Sequence, residues 1–223
     1  MEVIRILAID DHEMTPLGYK YILEGHDFPN FEVKVDVAKG YEIGKTKLEN
    51  SGRSSIPYDI ILLDIQLFPM HAHDERSGED LGILAREISP KSKVVFMSSF
   101  SDSYKINSVF KSVDPDGYMV KSEIDEKSLI AMVETVMCNP PYYTAGALSA
   151  IRKRMSNDIV LDDMDKKILY NLSLGVRTKD IAPLISAAIT TVESRKRKLK
   201  TIFGVDDGND LALIEQARRR GFL

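Results

Sequence analysis

The chain has 223 residues, 43% hydrophobic and 29% charged, with a formal net charge of -4, enough for one large or two small domains that each bury a core. Cys138 is the only cysteine, which excludes an internal disulfide and suits a reducing compartment. No apolar run approaches the roughly 18 residues of a membrane span, and the first apolar stretch stops at two aspartates rather than a small-residue cleavage site, so a cytoplasmic protein is expected.

Residues 3–9, Val3-Ile4-Arg5-Ile6-Leu7-Ala8-Ile9, have the content of a strand buried on both faces and run into Asp10-Asp11. Helical spacing follows over 16–23, a strand over 31–37 and a helix over 41–48. Asp59-Ile60-Ile61-Leu62-Leu63 is a second buried run, ending at Asp64. Then come helix 79–88, strand Lys93-Val94-Val95-Phe96-Met97 leading into Ser98-Ser99, helix 104–113, strand Gly117-Tyr118-Met119-Val120 leading into Lys121, and helix 126–137. Five β-α units in alternation predict a parallel, doubly wound sheet. Its carboxyl edge, where such sheets bind ligands, gathers three carboxylates, a hydroxyl and an ammonium.

Asn139-Pro140-Pro141 must end the last of these helices, because neither proline can donate a helical hydrogen bond. A linker with a helix over 144–155 is expected across 140–160, and an all-helical domain across 161–223. Its helices are predicted over 164–172 behind an Asp162 cap, 179–185 behind Thr178, 191–203 closed by Gly204, and 210–220 closed by Gly221. Residues 1–139 hold 15 Lys+Arg against 24 Asp+Glu, whereas 157–223 hold 12 against 10. Basic charge therefore lies towards the C-terminus, where a cluster can meet nucleic acid on a near-neutral chain.

Ile9-Asp10-Asp11-His12, Leu63-Asp64-Ile65, Met97-Ser98-Ser99 and Gly117-Tyr118-Met119-Val120-Lys121 together resemble the receiver domain of two-component response regulators, and Asp-Asp-His resembles the NarL/FixJ branch. The resemblance covers 1–139 and implies a five-stranded flavodoxin-like receiver of strand order 2-1-3-4-5. Across 161–221, Asp165, Gly175, Asp180-Ile181-Ala182, Thr191-Val192, Leu199-Lys200 and Phe203-Gly204-Val205 are similar in order and spacing to the LuxR-type helix-turn-helix domain. Three positions depart from that pattern: Pro183 inside the scaffold helix, Ala188 in place of the turn serine, and acidic Glu193 where lysine is common.

A carboxylate can attack phosphorus, but adjacent carboxylates repel one another and the incoming phosphoryl group, so a cation must neutralise them. The resemblance makes Asp64 the phospho-acceptor and implies Mg²⁺ held by Asp10, Asp11, Asp64 and the backbone carbonyl of Gln66. It also implies that Lys121 and Ser98 meet phosphoryl oxygens and that Tyr118 is an aromatic switch. Taken singly, Asp10 or Asp11 could be a helix cap, and Tyr118 an aromatic covering the sheet. Phe100 and Gln66 are expected to flank the path of the hydrolytic water.

Two other signals are set aside. Gly40-Tyr41-Glu42-Ile43-Gly44-Lys45-Thr46 resembles a phosphate-binding loop but is one residue short between its glycines. His71, His73, Asp74 and Glu75 read as a polar surface insertion, since His-x-His alone fixes no geometry.

Arg195-Lys196-Arg197-Lys198 with Lys200 puts five cations in six positions of one helix. Thr190, Glu193, Ser194 and Arg197 are expected at base edges, and Arg195, Lys196, Lys198 and Lys200 at phosphates. The implied function is a DNA-binding transcriptional regulator, not an enzyme in the ordinary sense, switched by phosphorylation from a sensor histidine kinase and acting on double-stranded DNA as a homodimer. The alternative is a constitutive, phosphorylation-independent DNA-binding regulator whose receiver serves dimerisation.

Overall fold

The computed structural model describes residues 1–54, 56–67, 76–99, 103–155, 159 and 161–223, with backbone alone for 103–105, 107 and 153–155. The chain divides into two compact units, Met1–Ser101 with Val109–Leu148, and Asp102–Ser108 with Ser149–Leu223. Among the described residues no helix is long and apolar enough to cross a membrane.

From the N-terminus the chain alternates β1 (Glu2–Asp10), α1 (Met14–Gly25), β2 (Phe31–Lys39), α2 (Gly40–Arg53), β3 (Ile60–Asp64), α3 (Gly78–Ile88), β4 (Lys93–Ser98), α4 (Ser103–Ser112), β5 (Gly117–Val120), α5 (Glu126–Cys138) and β6 (Tyr142–Tyr143). All five strand pairings are parallel, in the order β2-β1-β3-β4-β5-β6. Among the described residues the sheet thus has six strands, not five. Its last strand lies in the stretch expected to be linker, because Tyr142 N–H donates to Asp116 O at 3.0 Å and Thr144 N–H to Tyr118 O at 3.2 Å. Two residues are too short to carry a period-2 pattern, so only the unpaired edge of β5 could reveal them.

The central strand β3 is buried throughout, as its unbroken apolar run requires. On one sheet face Ile4, Ile6, Ile60, Leu62 and Val95 pack with Tyr19 and Leu23 of α1 and Leu129, Met132 and Val133 of α5. On the other, Gly44 of α2 comes so close to Ile9 and Leu81 that a Cβ would lie 2.8 Å from the Ile9 side chain. At the outer edge of β2, Lys20 donates to Val35 O and Glu24 accepts from Val35 N–H, each at 2.8 Å. One residue's worth of free strand edge is thereby covered, which blunts edge-to-edge pairing.

The helix termini follow local chemistry. Asp125 accepts from Ser128 N–H at 2.7 Å while the Ser128 hydroxyl accepts from Asp125 N–H at 2.8 Å, closing a capping box on α5. Ser77 N–H donates to Asp80 at 2.7 Å in the same manner at α3.

Helix α6 (Ala145–Met155) follows β6. The second unit continues with α7 (Asp163–Ser173), α8 (Thr178–Leu184), α9 (Ile189–Phe203) and α10 (Asp210–Arg219) around Leu161, Ile168, Leu172, Ile181, Val192, Leu199, Phe203 and Leu213. Asp162 caps α7 by accepting from Asp165 N–H at 2.8 Å. Gly204 ends α9 with φ 69°, a left-handed conformation that suits a residue without Cβ. Thr178 does not cap α8; Arg177 holds that position, and Thr178 is the first helical residue. Pro183 is the last residue but one of this seven-residue helix, so the N–H it lacks interrupts little.

Candidate functional site

In the first unit the strand register brings the site together. Asp10 and Asp64 end β1 and β3, Ser98 ends β4 beside Val120, and Lys121 is the next residue after β5. Lys121 Nζ donates to Asp10 Oδ2 at 2.6 Å and to Asp64 Oδ2 at 2.8 Å. The other carboxylate oxygens are held by backbone: Asp10 Oδ1 accepts from His12 N–H at 2.9 Å, and Asp64 Oδ1 from Gln66 N–H at 3.1 Å. Asp10 and Asp64 are 2% and 4% exposed, so every bond counts towards keeping them charged. Neither Asp10 nor Asp11 caps α1, whose N-cap is Glu13.

Burial raises the Asp64 pKa, and the charge of Asp10 adds to this against the opposing hydrogen bonds from Lys121 and Gln66 N–H. For Lys121, burial works against the charge, yet the bonds to Asp10 and Asp64 outweigh it and raise its pKa. Asp11, whose side chain is 15% exposed, and His12 sit at the rim, with His12 Nδ1 2.7 Å from Asp11 Oδ1. Asp10, Asp11, His12 and Asp64 each offer a ligand atom within 4.8 Å of the others. This oxygen-rich set fits a hard divalent cation such as Mg²⁺.

Ser98 is 3% exposed and Tyr118 fully buried. The Tyr118 ring stacks at 6.4 Å on Phe110, which meets Tyr143 of β6 at 5.4 Å. The Gly40 to Thr46 segment opens α2 and is helical from its first glycine; it forms no loop that could cradle phosphate. Phe100 and the stretch His71, His73, Asp74 and Glu75 lie outside the described residues.

Two contributors were not legible in the sequence. Gly78 packs against the Asp64 backbone, where a Cβ would come 1.9 Å from Asp64 O, and its N–H donates to Ile65 O at 3.1 Å. The start of α3 is thereby fixed to the end of β3. Tyr19 of α1 is raised in pKa by burial and by the charges of Asp10 and Asp64. Helical spacing shows only that Tyr19 faces inward, not what it faces.

In the second unit α9 carries the basic run. Thr190, Glu193, Ser194, Arg197 and Lys198 are exposed, and Arg197 and Lys198 have no ion pair among the described residues. Arg195, Lys196 and Lys200, expected at phosphates, are only partly exposed and bond within the unit. Arg195 Nη1 donates to Asp162 and, at 2.9 Å, to Asp165. Lys196 donates to Thr178 at 2.8 Å and to Asp210 at 3.0 Å. Lys200 donates to Gly208 O at 2.6 Å and lies 3.5 Å from Asp210. The sequence marks these residues as cations but cannot show which acids the fold brings to them.

No protein-family model matches the chain. Its sequence is 28% identical over 206 residues to the transcriptional regulatory protein MctR of Rhizobium johnstonii, spanning 91% of this chain and 88% of that one. To the oxygen regulatory protein NreC of Staphylococcus epidermidis it is 25% identical over 236 residues, spanning 99% of each. The fold agrees with that of RcsB from Salmonella enterica serovar Typhimurium bound to a promoter, with a TM-score of 0.62 at 17% identity over 96% of this chain and 97% of that one. Along nearly its whole length the chain is thus similar to response regulators, and it shares their fold, a flavodoxin-like parallel α/β unit followed by an all-helical unit.

Proposed function

We propose that the protein is a DNA-binding transcriptional regulator of a two-component system, switched by phosphorylation of Asp64. The observation that carries this reading is the bridge of Lys121 between two buried carboxylates at the ends of β1 and β3. An uncoordinated buried carboxylate is costly, and a pair of them sharing one ammonium is poised to receive further positive charge.

In this mechanism an Asp64 carboxylate oxygen attacks the phosphorus of the donor, a phosphohistidine of a sensor histidine kinase or a small acyl phosphate. The phosphorus–donor bond breaks and the electron pair leaves with the donor. Asp10, Asp11 and Asp64, with the Gln66 carbonyl, would hold Mg²⁺, which when bound neutralises carboxylates and phosphoryl oxygens together. Lys121, freed from Asp64 as its oxygen becomes part of an acyl phosphate, follows the charge to a phosphoryl oxygen, and the Ser98 hydroxyl donates to another. Tyr118, buried against Phe110, is the aromatic element that this movement biases.

The output is α9 in the major groove of double-stranded DNA, with two copies of the chain reading an inverted repeat roughly 34 Å apart. The similarity to MctR, a transcriptional regulatory protein, and to RcsB bound to a promoter supports this reading. A cytoplasmic setting accords with it.

The test is treatment with acetyl phosphate and Mg²⁺, followed by intact mass and by gel shift on duplex DNA. An added mass of one phosphate with strengthened DNA retention supports the proposal. Retention that is equal before and after the mass gain favours the constitutive, phosphorylation-independent alternative.

A further inference from the structure

We propose that Arg195, Lys196 and Lys200 are positioning residues that fasten α9 to the other helices of its unit, and that DNA phosphates are met instead by Arg197 and Lys198. This inference rests on the DNA-binding reading above and divides its basic run into two sets with different work.

The division follows from helical geometry. At 3.6 residues per turn, Val192, Leu199 and Phe203 form one stripe, and Arg195 and Lys196 lie on its two flanks with Lys200 beyond. Val192, Leu199 and Phe203 are buried, so cations at these flanks emerge against neighbouring helices rather than towards solvent. Thr190, Ser194, Arg197 and Thr201 lie on the opposite side, and all four are exposed. Lys198 and Glu193 border that exposed face.

Each flank cation has a partner on a different element. Arg195 reaches Asp165, whose side chain is 3% exposed, and Asp162, which also caps α7. Lys196 ties α9 to both the Thr178 hydroxyl of α8 and Asp210 of α10. Lys200 closes the turn after α9 through Gly208 O and adds to the pairing with Asp210. For Arg195 the alternative role carries a physical penalty: turning it towards a phosphate would leave the Asp165 carboxylate buried without its cation. Arg197 and Lys198 face no such conflict, having no ion pair among the described residues.

A second consequence concerns Thr178. Its hydroxyl accepts from Lys196 rather than capping its own helix, so the threonine that the sequence marks as a cap instead joins the scaffold helix to α9.

The experiment uses the full chain, treated with acetyl phosphate and Mg²⁺, and random-sequence duplex DNA at several salt concentrations. Counted per bound copy of the chain, a cation that meets a phosphate contributes about one to the slope of log affinity against log salt. Arg197→Ala and Lys198→Ala are expected each to lower that slope by about one and to leave the thermal midpoint unchanged. Arg195→Met and Lys196→Met are expected to leave the slope unchanged and to lower the midpoint by several degrees. Asp165→Asn should lower the midpoint as Arg195→Met does, and the double variant should be little worse than either single one.

A slope lowered by about one in Arg195→Met at an unchanged midpoint overturns the division, as does an undiminished slope in Arg197→Ala and Lys198→Ala. Should Arg195→Met fail to fold, Lys196→Met carries the same two readouts. If the parent chain binds no duplex at all, the DNA-binding reading and the phosphate assignment fall together. The midpoints of the Asp165 and Arg195 variants, measured without DNA, then still decide whether that pair fastens α9.

Discussion

Lys121 and Asp64 meet at 2.8 Å across the carboxyl edge of the sheet, although 57 positions separate them in the chain. Lys121 shares its ammonium with Asp10 at 2.6 Å, so one cation serves two buried acids. The surplus negative charge sets the behaviour of the pocket.

Asp64→Asn is expected to abolish phosphoryl labelling by acetyl phosphate, because an amide is no nucleophile, and to stabilise the metal-free protein at neutral pH. Burial raises the Asp64 pKa, so the folded state holds that proton more tightly than the unfolded chain. The stability this gives is full below the ordinary carboxylate value of about 4 and is lost as pH rises through the folded pKa. The excess in thermal midpoint of the variant over the parent should therefore grow from pH about 4 towards neutrality. Labelling that persists in the variant, or midpoint curves that run parallel, would place the acceptor or the titration elsewhere.

Asp11→Ala should weaken Mg²⁺ binding about tenfold or more by removing one of few anionic ligands at the rim. Tyrosine fluorescence can follow the titration, since the chain has no tryptophan and the fields of Asp10 and Asp64 reach Tyr19. Undiminished binding would show that Asp11 is not a ligand.

Gly78→Ala places a Cβ where Asp64 O lies only 1.9 Å away, so the backbone at Asp64 or at Gly78 must move. A cost of about 3 kcal/mol is expected, at the upper end for overpacking, with a fall in thermal midpoint of roughly 6 °C or more. Phosphorylation by acetyl phosphate should slow in the same variant. A normal rate and midpoint would mean that the loop absorbs the methyl group without disturbing Asp64.

Ala188→Ser should stabilise the helical unit by about 1 kcal/mol. Ala188 is the N-cap of α9 in extended conformation, φ -74° and ψ 148°, and offers no side-chain acceptor; a serine there could accept from an orphan N–H of the first turn. Thermal denaturation of the two proteins side by side checks this, and an unchanged midpoint would show that those N–H groups are already satisfied.

Glu193→Lys should change base preference rather than overall affinity alone. Glu193 is exposed near the start of α9, and a carboxylate in the major groove can accept from cytosine N4 but is repelled by the acceptors of guanine. The substitution should shift preference from cytosine towards guanine at one position of each half-site, by about 1–3 kcal/mol. Selection from a random duplex library reads the outcome, and an identical consensus from both proteins would remove Glu193 from base contact.

By itself the sequence determined the alternation of elements and the composition of the acidic pocket. Apolar runs such as 60–63 are so continuous that only a strand buried on both faces accommodates them, and each ends at a residue with chemistry to offer. The capping role of Asp162 and the closure of α9 at Gly204 were also legible, because caps depend on local backbone geometry.

What depended on distant neighbours was decided only by the tertiary structure. Tyr142 and Tyr143 became a sixth strand because the β5 edge lay open to them, and Gly78 has no room for a Cβ because the chain returns it to Asp64 O. Thr178 lies inside α8 rather than at its cap, and its hydroxyl meets Lys196. The basic run shows the same limit most plainly: five cations stand nearly side by side in the sequence, yet helical rotation and the positions of Asp162, Asp165 and Asp210 turn three of them inward. Charge is a property of a residue; the partner that neutralises it is a property of the fold.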